Sequence, residues 1–264
     1  MAVDYFNQFD GFMRNYASIP VQLSERTHCY TWFGYTGGSS WLGYSGLPKI
    51  EADLGIRLNT SIAYNPVNWA TVNPGYQMGS VMMMRSAQVD SSGIMTSFLD
   101  IYNAGTQITD DNQQGAAVIR GIVDSFLDDA NGPLGFYGGF VVNMHSDNWY
   151  GWSYDGSDQI VASAQARGVP IVSGRQMVDW LDGRNNSSFS SITWDGMNLG
   201  FVVTADTRAR NLQAMLPTRT GNNNNLLLSG ITKNGTPVIY TVQTIKGIEY
   251  AFFPAAIGSY IATY

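Results

Sequence analysis

The apolar residues change their spacing near residue 183, and this change constrains the fold more than any other feature of the chain. Before it, helix-like apolar spacing alternates with short β-branched or aromatic runs, which predicts an α/β layer or barrel with mainly parallel strands. After it come short strand-like runs separated by turn signals at Asp195-Gly196, Asn234-Gly235 and Lys246-Gly247. We therefore predict an α/β domain over residues 1–183 and a small all-β sandwich over residues 188–264.

The composition indicates which partners to expect. Charged residues make up 13% of the 264 residues, about half the usual level of roughly 25%. Asn, Ser, Thr, Gly and Tyr take their place, which suits an extracellular or cell-surface protein that meets neutral, polar partners such as glycans. The net charge of −6, without a basic run, argues against binding to nucleic acid. The single cysteine, Cys29, excludes an internal disulfide framework and is expected to be buried and inert.

The sequence shows neither the pattern of a membrane span nor that of an export signal. No apolar run approaches the ~18 residues that a membrane-spanning helix needs. The first 17 residues lack the basic flank and apolar core of a signal peptide, and their aromatic spacing predicts an amphipathic helix. If the protein is exported, its signal has been removed or lies upstream, so we expect the chain to be part of a longer, multidomain protein; the alternative is a complete cytosolic protein.

The first candidate site follows an apolar run at residues 140–142. Glycines precede this run, which predicts a buried strand, and His145 comes three residues after it. In α/β sheets and barrels the carboxyl ends of the strands carry the chemistry. His145 lies two residues before Asp147, and Trp149 and Trp152 follow. This combination indicates a catalytic, metal-binding or ligand-binding histidine; the alternative is a histidine that only hydrogen-bonds a neighbour.

The second histidine, His28, lies on a strand predicted over residues 27–33. If both histidines face one end of a barrel, they can share a zinc ion with a carboxylate from Asp147 or Asp100, and metal-bound water is then the nucleophile. The same two carboxylates are the better candidates for a glycosidase pair. No HxxH, HxxxH or HExxH spacing accompanies the histidines, so two unrelated polar histidines remain the alternative.

Arginine and tryptophan residues supply candidate substrate contacts. Arg57 lies on a predicted strand in a charge-poor region, where an inward guanidinium can hold a ligand oxygen. Trp41 and Trp69 lie on loops rich in polar residues, Gly or Pro, where their rings either stack on sugars or pack as a lid. Asp110 is interpreted differently, as part of the cap of a helix over about 115–130. The helix carries a predicted apolar stripe of Val118, Ile119, Ile122, Val123, Phe126 and Leu127.

Several motifs together resemble a group of large exported bacterial proteins in which a polysaccharide-deacetylase-like barrel is followed by a small β domain. The motifs are THCYTW, GIRLNTSIAYNPVNW, FLDIYNAGTQITDD and FYGGFVVNMHSDN. The resemblance implies a distorted (β/α) barrel over residues 1–183 and a divalent metal held by an aspartate and two histidines. It maps a metal ligand to His28, the catalytic histidine to His145 and the arginine motif to Arg57.

Two features depart from that pattern. Trp32 stands where the second metal histidine is expected, and the paired aspartates of the first strand motif are not recognisable. The sequence predicts a secreted, carbohydrate-active protein, a zinc-dependent polysaccharide deacetylase-like hydrolase that uses His28, Asp100, His145 and Asp147. The alternatives are a non-catalytic glycan-binding module that stacks sugars on its tryptophans, and a structural or assembly protein of the cell surface.

Overall fold

The chain divides into two compact units, Met1–Asp128 with Tyr137–Arg175, and Asp129–Phe136 with Gln176–Tyr264. The structure, a computed structural model, describes residues 22–26, 34–35, 42–43, 46–61, 82–90, 92, 94–110, 114–132, 138–146, 151–221 and 225–264. The described part is mostly β, with four helices.

The first unit contains a mixed sheet and a separate small parallel sheet. In chain order its strands are β1 (Ser24–Glu25), β2 (Gly34–Tyr35), β3 (Leu42–Gly43), β4 (Leu58–Asn59), β5 (Met84–Val89), β6 (Met95–Asn103), β7 (Thr106–Thr109) and β8 (Val141–Asn143). The mixed sheet has the order β1-β4-β6-β5, in which β1, β4 and β6 are parallel and β5 is antiparallel to β6. β7 and β8 pair in parallel, and β2 pairs antiparallel with β3.

The predicted (β/α) barrel is wrong, because the sheets in the described ranges are open. β5 and β6 are joined by a turn in which the Asp90 carboxylate accepts hydrogen bonds from the N–H groups of Ser92 and Ile94, at 2.8 and 3.0 Å. A parallel crossover needs a connection of a dozen or more residues, so this short turn can only produce an antiparallel hairpin. The hairpin adds an antiparallel edge where a barrel needs a further parallel strand.

Two of the three helices of the first unit pack on the β7–β8 pair, and the third contacts β6. The three helices are α1 (Gly46–Asp53), α2 (Ala116–Asn131) and α3 (Gly151–Ala166). The predicted apolar stripe of α2 is confirmed, since its inward residues share one core with Ile108 of β7 and Ala164 of α3. Phe140 stacks on Phe126 of α2, with ring centroids 5.2 Å apart. Arg167, which directly follows α3, forms an ion pair with Asp124 of α2, with 2.7 Å between its Nη1 atom and the Asp124 Oδ1 atom. The core therefore fixes where β8 ends.

The second unit holds α4 (Gly174–Asn185) from Gln176 onward and two antiparallel sheets. Its strands are β9 (Ser188–Trp194), β10 (Asn198–Thr204), β11 (Gln213–Pro217), β12 (Gly230–Lys233), β13 (Thr236–Pro237), β14 (Thr241–Ile245), β15 (Ile248–Pro254) and β16 (Gly258–Thr263). The sheet orders are β13-β12-β16-β10-β9 and β11-β15-β14. Both sheets contribute to one core that includes Phe201, Phe253 and Tyr260.

Turn residues set the registers of the hairpins in the second unit. Lys246 and Gly247 have φ values of 51° and 80°, and Ile245 pairs directly with Ile248 across them. Two consecutive left-handed residues form the tight turn whose twist matches that of paired strands. The turn predicted at Lys246-Gly247 is therefore confirmed.

None of the helices in the described part of the chain combines the length and apolarity that a bilayer crossing requires.

Candidate functional site

The candidate site lies where the parallel strands β7 and β8 end. Thr109 is in register with Asn143, so the residues that follow both strands emerge at the same edge of the pair. Asp110 directly follows β7, and His145 comes two residues after β8 ends. Carboxyl ends of adjacent parallel strands are a common location for functional side chains.

Asp110 holds His145 by two hydrogen bonds. The Asp110 Oδ1 atom lies 2.7 Å from the ring nitrogen Nδ1 of His145, and Oδ2 accepts the backbone N–H of His145 at 2.8 Å. The Asp110 side chain is 1% exposed, whereas the imidazole is 39% exposed. A buried carboxylate thus orients a ring that solvent reaches.

The surroundings keep the Asp110 carboxyl ionised. Burial alone raises the pKa of Asp110, but contact with the Ser153 hydroxyl and the hydrogen bonds from the backbone and ring of His145 outweigh it and lower the pKa below its ordinary value. Ser153, at the start of α3, is buried, and its hydroxyl lies near the Asp110 carboxylate. The geometry of this contact is not that of a normal hydrogen bond, and the hydroxyl forms no such bond with any other described group. A carboxylate at this position fixes the proton of a neutral imidazole on Nδ1 and leaves the lone pair on Nε2.

Close packing of α3 holds the end of β8 in place. A Cβ atom at Gly156 would lie 2.6 Å from the Ile119 side chain and 3.0 Å from that of Met144. A larger residue at position 156 would force the ends of the Ile119 and Met144 side chains to shift, so glycine favours this close approach. Because Met144 immediately precedes His145, this contact limits the movement of the imidazole.

Asp110 does not cap a helix as the sequence predicts, because α2 begins at Ala116, beyond the reach of such a cap. The residues before Asp110, TQIT, form a short strand with β-branched residues, and a carboxylate directly after such a run is the same signal that singled out His145. The predicted strand at 140–142 is observed at Val141–Asn143, but it is only partly buried, with Val142 37% exposed.

A second polar cluster lies at the carboxyl ends of β1 and β4. Asn59 donates from its side-chain amide to both oxygens of Glu51, at 2.7 and 2.6 Å, and Glu51 also hydrogen-bonds the Glu25 side chain. Burial, with the carboxyl of Glu25 beside it, raises the pKa of Glu51 to about 8. Glu51 and Asn59 are both fully buried, so neither reaches a substrate from solvent. The sequence analysis did not identify this cluster.

Arg57 and Asp100, both predicted site residues, contact each other. The Arg57 guanidinium donates to the backbone carbonyl of Asp100 at 2.8 Å and lies 3.0 Å from its carboxylate oxygen Oδ1. Arg85 is also 3.0 Å from Oδ1. The Asp100 carboxylate, 63% exposed, therefore bridges two arginines. Their predicted roles in catalysis and substrate binding stay predictions.

The other predicted site residues have separate positions. Trp152 is half-buried near the start of α3, in the same turn as Ser153. Outside the described residues lie five of them: His28, Trp41, Trp69, Asp147 and Trp149. The shared pocket predicted for His28 and His145 is therefore still a prediction.

The predicted zinc ion needs a group of ligating side chains that lie close together. No group of three or more His, Cys, Asp or Glu side chains in the described residues is placed to hold a metal. A catalytic zinc usually has three protein ligands, and His145 supplies a single nitrogen because Asp110 engages the other. The zinc ion therefore stays a prediction from the sequence resemblance.

Comparison of the chain with protein-family models, with curated proteins and with solved structures finds no match. The site is therefore interpreted from its own geometry and chemistry.

Proposed function

We propose that the first unit is a hydrolase in which His145 is the general base and Asp110 orients it. The observation that carries the proposal is the pair of hydrogen bonds that a buried carboxylate accepts from the ring and backbone of an accessible histidine. A histidine oriented through Nδ1 by a carboxylate is a recurrent arrangement for proton transfer in acyl-group hydrolysis.

The arrangement supports a simple sequence of proton transfers. Nε2 of His145 takes a proton from water as the water oxygen attacks a carbonyl carbon of the substrate. The Asp110 carboxylate stabilises the imidazolium that forms. The bond between the carbonyl carbon and the leaving group then breaks, and His145 returns the proton to the leaving atom, which is the oxygen of an alcohol or the nitrogen of an amine.

We propose an extracellular, neutral and polar substrate, in particular an acylated polysaccharide. The low charged content of 13% and the abundance of Asn, Ser, Thr and Tyr support this choice, because neutral hydroxyl-rich ligands are bound by hydrogen bonds and aromatic contacts. A metal ion on Nε2 of His145 is the alternative to this role, because the single lone pair of the imidazole cannot both coordinate a metal and accept a proton.

The test measures acetate released from acetylated oligosaccharides by the purified chain and its variants. We expect His145→Ala to lower the rate by about 10²–10⁴-fold, the usual contribution of a general base. Asp110→Asn should lower kcat more than it raises KM. Asp128→Asn is the matched control, because Asp128 is an exposed carboxylate paired with Arg167 and far along α2.

Equal rates for the wild type and His145→Ala would contradict the proposal. Retention of the same oligosaccharides without any turnover would support the non-catalytic glycan-binding alternative instead.

A further inference from the structure

The second unit contains an open pocket of about 290 Å³ between the ends of its two sheets. Its apolar walls come from Trp194 at the end of β9, Leu199 of β10, Pro217 at the end of β11 and Tyr264. Arg219 and the neighbouring residues Thr220 and Gly221 complete the lining. A pocket of this volume lies at the lower end of the range for small-molecule sites, so it suits a ligand of a single ring.

Two aromatic rings form a corner in this pocket. The ring centroids of Trp194 and Tyr264 are 5.8 Å apart and their planes meet at 73°. Trp194 is 44% exposed, which leaves much of its indole accessible. An accessible aromatic face beside a second, nearly perpendicular ring suits the C–H face of a pyranose, which is apolar while its edge is polar.

The walls of the pocket are fixed before any ligand binds. The Tyr264 hydroxyl donates to the Pro217 carbonyl at 2.9 Å, and burial raises the pKa of Tyr264, which keeps that hydroxyl protonated. Trp194 is in register with Leu199 on the neighbouring strand. Arg219 forms a backbone bridge with Leu227. Preorganised walls reduce the entropy that binding must overcome.

The polar part of the lining favours a ligand that accepts hydrogen bonds. Arg219 is the only charged side chain in the lining, and it forms no ion pair with the described residues. Its planar guanidinium presents donors in a geometry that matches a carboxylate. No carboxylate of the lining competes for it, so charge complementarity favours a ligand with an anionic edge.

We propose that this pocket binds a uronic acid residue of a saccharide, with the pyranose face on Trp194 and the carboxylate on Arg219. This site belongs to the second unit and does not depend on the catalytic proposal for His145. It gives the chain a means of attachment to acidic polysaccharides.

The test compares two ligands that differ only in the carboxylate, methyl β-D-glucuronide and methyl β-D-glucoside. Binding is followed by titration of the tryptophan indole N–H signals in ¹⁵N-labelled full chain. We expect the glucuronide to shift the Trp194 signal and to bind at least tenfold more tightly than the glucoside. Arg219→Gln should remove this difference, and Trp194→Ala should abolish binding of both sugars.

Two control variants remove similar groups outside the pocket. Ile192→Ala alters an exposed residue of the same strand, 65% exposed, and Arg210→Gln removes an exposed arginine that is not in the lining. Both should bind the glucuronide like the wild type.

Three results would overturn the proposal. Equal affinity for the two sugars would exclude recognition of the carboxylate, and tighter binding of benzoate than of the glucuronide would exclude a saccharide ligand. Unchanged binding in Arg219→Gln and Trp194→Ala would place the sugar elsewhere. Because Arg219 is an exposed residue, loss of folding is not expected to obscure the Arg219→Gln result.

Discussion

The Asn59 side-chain amide donates to both carboxyl oxygens of Glu51 in the interior of the first unit, at 2.7 and 2.6 Å. Glu51 is fully buried beside the Glu25 side chain, and its pKa is raised to about 8. At neutral pH Glu51 is therefore a neutral acid, whose O–H can donate a hydrogen bond to Glu25 while the carboxyl accepts hydrogen bonds from Asn59.

The first prediction concerns the pH dependence of stability. The folded state keeps the Glu51 proton up to about pH 8, whereas the unfolded chain loses it near pH 4.5. Between these values the native state binds more protons, so the free energy of unfolding falls as the pH rises, by a few kcal/mol in total. Urea unfolding at intervals between pH 4.5 and pH 8 measures this slope.

Glu51→Gln should remove most of that slope, because the amide can hydrogen-bond Asn59 and Glu25 without titrating. The variant should be at least as stable as the wild type at pH 8. Glu249→Gln, an exposed control, should leave the slope unchanged. An unchanged slope in Glu51→Gln would show that Glu51 is ionised in the folded protein.

The second prediction concerns the Asp110–His145 pair. Asp110→Asn should lower the free energy of unfolding at pH 7 by about 1–3 kcal/mol. The reason is that the two carboxylate oxygens of this buried side chain each accept one hydrogen bond, and the substitution replaces one of these oxygens with an NH2 donor. The pKa of Asp110 is lowered, so this contribution is present above about pH 4 and is lost as the pH falls through the lowered value. Urea unfolding at a series of pH values from 7 downward should therefore show a difference that is largest at pH 7 and shrinks as the pH falls below about 4.

The third prediction concerns the contact between Gly183 of α4 and the segment around Ala209. A Cβ atom at Gly183 would lie 2.3 Å from the Ala209 backbone nitrogen and 2.8 Å from the Arg208 carbonyl carbon. Gly183→Ala should therefore destabilise the second unit by about 3 kcal/mol, since backbone atoms cannot move aside as a flexible side chain can.

Gly121→Ala is the matched control within a helix. A Cβ there meets no atom within 4 Å, so the substitution should stabilise α2 by up to about 1 kcal/mol through helix propensity. Thermal unfolding of the two variants measures both effects. Equal melting temperatures for Gly183→Ala and the wild type would contradict the close approach of α4.

The fourth prediction separates a structural from a catalytic role for Asp100. Its carboxylate is 63% exposed and lies 3.0 Å from both Arg57 and Arg85, so Asp100→Asn should cost less than about 1 kcal/mol of stability. If Asp100 only bridges the arginines, acetate release should be nearly unchanged. A large loss of rate without a change in unfolding would instead support the catalytic role predicted from the sequence.

The sequence predicted features that depend on neighbouring residues. The apolar stripe of α2 was recognised because its period of 3.6 residues is a local property. The turn at Lys246-Gly247 was recognised because glycine favours the left-handed conformation that two-residue hairpins need.

Sheet topology was predicted wrongly because strand pairing is not local. Alternating helices and strands suggested a parallel barrel, but the short connection through Asp90 turns β6 back against β5. The apolar run over residues 169–172 forms no strand and lies in an irregular segment before α4. A β-branched run becomes a strand only where a neighbouring strand is available to pair with it.

The sequence by itself determined the apolar stripe of α2 and the tight turn at Lys246-Gly247, and it identified His145 as a candidate, since each depends on residues close together in the chain. Only the tertiary structure decided what these residues contact. Asp110 lies 35 residues from His145, and their pairing exists because β7 and β8 align in parallel and end at one edge. The neutral state of Glu51 likewise depends on burial beside Glu25 and Asn59, which the folded chain alone provides.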